Sequence, residues 1–90
     1  MNVWEQVRLL LDRPLRTLDR RREFRIDVVR DSYAVVIPHG GEARLIRRQT
    51  IEQAAAMRAA AENLSRAQLQ EAIPSTPNAS YILAIVEEIS

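Results

Sequence analysis

The hydrophobic period is two between residues 23 and 48 and close to 3.6 on either side, and this change constrains the fold more than any other feature. Phe24, Ile26 and Val28 alternate with Arg25, Asp27 and Val29, the pattern of a half-buried strand. Arg30-Asp31-Ser32 reads as a turn, and Tyr33–Ile37 is β-branched enough to be the partner strand. Pro38 ends that strand, His39-Gly40-Gly41-Glu42 turns the chain again, and Ala43–Arg48 forms a third. Two tight connections permit only an antiparallel meander in order 1-2-3.

Helical periodicity brackets the meander. Asn2 and Glu5 mark a capped start, and Val3, Val7, Leu10 and Leu11 put residues 3–12 in an amphipathic helix. Pro14 breaks that helix and can begin a second short one through Leu15 and Leu18, so that 3–19 is a helical segment broken at Pro14. Order is expected to fall away around Arg20–Arg22. After the meander, Thr50 with Gln53 matches a capping box for an alanine-rich helix over 51–62, with Asn63 as its stop. Ser65 with Gln68 repeats the signal for a helix over 65–73. Pro74-Ser75-Thr76-Pro77 reads as a stiff linker. The last helix begins at Thr76-Pro77 or Ser80 and carries Ile82, Ile85, Val86 and Ile89 on one stripe.

The expected fold is therefore α+β: an N-terminal amphipathic helix, a three-stranded antiparallel β-meander (23–48), then three helices (50–90) on one face of the sheet. Ninety residues suffice for one small domain and no more. The expected core is Val7, Leu10, Leu11, Phe24, Ile26, Val28, Val35, Ile37, Leu45, Ile51, Leu69, Ile82, Ile85, Val86 and Ile89. Leu45 and Ile46 point to opposite sides of the third strand, which leaves its buried side open.

The chemistry this chain can carry is narrow. With no cysteine there is neither a disulfide framework nor a thiolate metal site. His39-Gly40-Gly41 brings to mind the oxyanion loop of some esterases, but these are the only glycines and the only histidine, so the nucleophile elbow is missing. A hairpin turn explains them better. Asp27 and Asp31 flank a tight turn and have too few companions for a metal. An enzyme using Asp27, Asp31 or His39 is the weakest reading. No cofactor, metal or catalytic residue is assigned.

The arginines reach further. All thirteen basic residues are arginine, and the net charge of +1 hides an imbalance. Through Arg48 there are eleven arginines against seven carboxylates, and beyond it two against five. The planar guanidinium fork suits phosphates, so Arg16, Arg20, Arg21, Arg22, Arg25 and Arg44 are candidates for binding phosphate or an acidic partner. In a meander the first and third strands run parallel, bringing Arg25 near Arg44. The helices over 51–62 and 65–73 have helix-turn-helix spacing, yet the second carries only Arg66 to read bases.

The leading expectation is a small non-catalytic interaction or accessory module, self-associating as a homodimer or binding another protein. Charge complementarity between the halves would tie Glu87 and Glu88 to arginines of the first half. The alternative is a nucleic-acid-binding accessory protein. No segment approaches the ~20 apolar residues of a membrane span. The N-terminus does not resemble a secretory signal, and a cytoplasmic location is expected.

Overall fold

The computed structural model describes residues 2–61, 63–73 and 77–90. The protein is α+β, with four helices and one four-stranded antiparallel sheet among the described residues. Helix α1 (Val3–Arg8) is followed by strands β1 (Leu15–Arg16), β2 (Glu23–Val29), β3 (Tyr33–Pro38) and β4 (Arg44–Arg47). Helices α2 (Arg48–Ala60), α3 (Arg66–Ala72) and α4 (Ala79–Ile89) complete the chain. The strands lie in the order β1-β2-β3-β4, a meander one strand longer than its period-two segment predicts.

The extra strand occupies the place expected for a second short helix. Leu15 and Arg16 pair with Phe24 and Glu23, so Pro14 leads into a strand rather than a helix. Helix α1 is also shorter than 3–12 and ends at Arg8. Its cap is the one expected: Asn2 Oδ1 accepts from the Glu5 amide at 2.8 Å. At α3, Ser65 and Gln68 form the reciprocal capping box. Thr50 and Gln53 do not form theirs, because α2 begins at Arg48, directly behind β4, with no side-chain cap. Helix α2 ends with Ala61 in an extended conformation, so Asn63 is not its left-handed stop. The expected linker 74–77 has Pro74, Ser75 and Thr76 outside the described residues.

One face of the sheet carries the core. Leu15, Phe24, Ile26, Ala34, Val36 and Ile46 are buried in one cluster with Trp4, Val7 and Leu10 and with Ile51, Leu69, Ile82, Ile85 and Val86 of the later helices. Helices α2 and α4 touch the sheet, while α3 packs on α4, a departure from three helices lying side by side on the strands. Small residues make this close packing feasible: Ala34 and Ala54 are fully buried, and Ala79 and Ala84 nearly so.

A bulge explains why Val28, expected in the core, faces outward. Ile26 pairs with Val36 but Val28 pairs with Val35, so Asp27 is an extra residue in β2. Beyond it the inward parity changes, and Val29 opposite Ala34 leans on the core. Val28 is thus half-buried on the other face, where the regular alternation of β3 also puts Val35 and Ile37. Leu45 and Leu11 are exposed, and Ile89 is only partly buried. Removing Asp27 restores strict alternation from Phe24 to Val29. A chain lacking Asp27 should keep its fold and lose no more than about 1 kcal/mol, the upper worth of the exposed Arg25–Asp27 ion pair. Thermal melting with amide exchange at Ile26 and Val28 tests this, and a collapse of cooperativity would show that the sheet needs the bulge.

The turn at His39-Gly40-Gly41 is a hairpin connection. The Gly41 amide donates to the Pro38 carbonyl at 3.0 Å, and Gly40 sits at φ +72°, where a side chain would be strained. No helix among the described residues is long and apolar enough to cross a membrane.

Candidate functional site

Two surfaces stand out, and five of the six candidate arginines divide between them. The first is a pocket of about 210 Å³ lined by Thr17, Asp19, Arg20, Arg22, Arg44, Arg66, Pro77, Ser80 and Tyr81. Its floor is built by the connection between β1 and β2. Thr17 is buried, and its amide donates to the Arg22 carbonyl at 3.0 Å while its hydroxyl accepts from the Arg22 amide at 2.9 Å. That reciprocal pair closes a tight loop in which Arg21 takes the left-handed conformation at φ 51°. The segment expected to lose order is therefore a built turn, and it brings Arg20 and Arg22 to the pocket.

The remaining walls come from distant parts of the chain. Arg44 donates to Asn78 Oδ1 at 3.3 Å, and its guanidinium lies 5.8 Å from the centre of the Tyr81 ring. Arg66 bonds Asp19 at 3.0 Å, and the Ser80 hydroxyl donates to the same carboxylate oxygen at 3.0 Å. Desolvation would raise the Asp19 carboxyl, but hydrogen bonds from Ser80, from Arg66 and from the Arg20 amide outweigh it and hold the pKa below the usual value. Four arginines and a single aspartate thus line the pocket. Arg20 and Arg22 have no side-chain partner among the described residues.

The other candidates lie elsewhere. Arg25 pairs with Asp27 at 3.1 Å on the outer face of the sheet, and Arg44 lies across β3 with its side chain in the pocket. Strand geometry brings their backbones close, as expected, yet their side chains do not meet. Arg16 faces outward beside buried Leu15 and donates to the Arg21 carbonyl at 3.3 Å. Arg21 lines neither surface. Arg66 is the member that sequence reasoning missed, since it reaches Asp19 from 47 residues away.

The acids expected to bridge the halves behave differently. Glu87 pairs with Arg58 of α2, not with an arginine of the first half. The long-range ion pair that joins the halves runs the other way, from Arg66 to Asp19, while Arg48–Glu52 crosses the boundary only locally within α2. Asp31 pairs with Arg8 at 3.3 Å. His39 borders a separate hollow of about 430 Å³ with Asp12, Glu23 and Arg25, where the charges are mixed. No group of three or more His, Cys, Asp or Glu that could hold a metal ion occurs among the described residues.

The second surface is the helix-free face of the sheet. Val28, Val35 and Leu45 pair in one row across β2, β3 and β4, with Leu45 54% exposed. Ile37 opposite Arg25 and Tyr33 opposite Arg47 flank the row. Arg16, Glu23, Arg25, Asp27 and Arg47 surround these apolar side chains with both signs of charge.

Neither pocket nor sheet face has a precedent to lean on: the chain matches no family model, no curated protein and no solved structure. The helix-turn-helix spacing gains nothing from the geometry either, because α2 and α3 pack mainly against α4.

Proposed function

We propose that this chain is a non-catalytic interaction module that self-associates through the helix-free face of its sheet. The row Val28–Val35–Leu45 carries the reading, because it is apolar, in register across three strands, and covered by no helix among the described residues. A second copy is the occupant best matched to it. The surrounding arginines and carboxylates allow a copy turned about a two-fold axis to set its cations against the other's acids.

The association would be reversible. The chain exposes 5702 Å², close to the ~5,400 Å² expected of a monomer of its mass, so each copy is a finished fold. A face of four short strands, roughly 15–20 Å on a side, is also smaller than the ~800 Å² per partner of a standard interface. The nucleic-acid reading draws less support, since the six arginines are scattered, three at the pocket, two on the sheet face and Arg21 on neither, and form no continuous track.

Sedimentation equilibrium tests the proposal. The average mass should climb above 10.3 kDa with rising concentration. Val35→Asp and Leu45→Asp should hold it at the monomer value, because a carboxylate buried in an apolar contact is costly unless paired. A strict monomer at millimolar concentration, or unchanged association in both variants, would overturn the reading. Binding of a different protein to this face with no self-association would do the same.

A further inference from the structure

We propose that the pocket framed by Arg20, Arg22, Arg44 and Arg66 binds a phosphomonoester dianion. This inference is independent of self-association, which uses the other side of the sheet.

The charge count comes first. Four arginines and one aspartate line the cavity, an excess of three formal positive charges. Cations gathered this closely repel one another unless an anion joins them, and Asp19 answers only part of that charge. Arg20 and Arg22 carry the surplus, with no side-chain partner among the described residues. A dianion matches this surplus better than the single charge of a backbone phosphodiester.

Shape and chemistry agree with charge. At about 210 Å³ the pocket lies below the roughly 300–1,000 Å³ of sites that enclose a whole drug-sized ligand. It can hold a terminal phosphoryl group and leave the rest of the molecule outside. Guanidinium forks supply paired donors to phosphate oxygens, and the Thr17–Arg22 loop holds two of them on a closed turn. The Ser80 hydroxyl adds a donor that can turn from Asp19 to the ligand. Arg66 is shared: an incoming dianion competes with Asp19 for it, so Asp19 sets the affinity from inside the pocket.

Titration of the full chain with inorganic phosphate, followed through amide and guanidinium NMR signals, tests this. Saturable shifts should centre on Arg22, Arg44, Arg66 and Ser80. Arg22→Gln and Arg44→Gln should each weaken binding by about tenfold, the effect of losing one charge-assisted hydrogen bond. Arg13→Gln should leave it unchanged, since Arg13 is exposed and lies outside the pocket. Asp19→Asn should tighten binding several-fold, which a merely structural role for Asp19 would not produce. Glycerol phosphate binding at least as tightly as inorganic phosphate points to a small phosphorylated molecule. Tighter binding of a 5′-phosphorylated oligonucleotide than of its unphosphorylated form points to a nucleic-acid end. Equal binding of both oligonucleotides, an equal loss in Arg13→Gln, or no saturable shift would overturn the proposal.

Discussion

Replacing Phe24 with alanine should cost about 3–5 kcal/mol, the range for deleting a buried aromatic side chain. Phe24 is 2% exposed and sits where three strands meet, paired with Leu15 of β1 and Pro38 of β3. Its ring also meets Tyr81 of α4 edge-on, with centroids 5.1 Å apart at 69°. The contact is worth about 0.5–1.5 kcal/mol beyond area burial, so the loss falls at the upper end. A domain of this size has about 5–10 kcal/mol to lose, and the melting temperature should drop by some tens of degrees. Phe24→Leu keeps most of the volume and should cost less than half as much. Denaturant unfolding of both variants decides the point: a loss below about 1 kcal/mol for the alanine would mean that the sheet and α4 are not held together here.

Trp4→Ala should have an effect of similar size, about 3–5 kcal/mol. Trp4 is 2% exposed, and its indole N–H donates to the Arg30 carbonyl at 2.7 Å. Arg48 lies over the ring at 5.5 Å and also bonds Glu52 and the Asp31 carbonyl. One side chain thus fastens α1 to the β2–β3 turn and to the start of α2. Trp4→Phe separates packing from polar contact. It keeps a ring in the core but leaves the Arg30 carbonyl without its donor, for an expected loss of about 1–3 kcal/mol. Equal losses in the two variants would show that the hydrogen bond, not the ring's bulk, holds the junction.

These residues also mark what the sequence makes legible. Phe24 and Ile26 are readable as core from their alternation, and the stripe of Ile82, Ile85 and Val86 from its helical spacing, because each pattern is local. Strand β1 is not readable in this way. Two residues behind a proline have no period, and only pairing with Glu23 and Phe24 makes them a strand. The bulge at Asp27 hides for the same reason, since Phe24–Val29 looks regular until β3 lies against it. The buried alanines belong to this group too, since Ala34 shows no sign of its burial until Val29 is set opposite it. The pocket was half legible. Arginine density draws attention to Arg20, Arg22 and Arg44, but strand parity turns Arg25 away, and Arg66 enters only through folding.

Between Arg47 and Arg48 the chain passes from β4 into α2 with no connecting residue. An outermost strand is ordinarily the part of a sheet that peels away, or that a neighbouring molecule borrows. Here β4 cannot lift off without unwinding the first turn of α2, and with it Ile51, which is fully buried. The Arg48 amide adds a latch by donating to the Ser32 carbonyl at 2.9 Å. Swapping this strand between molecules therefore requires most of the fold to open first. A neighbouring molecule thus cannot borrow β4 while the rest of the fold stays closed.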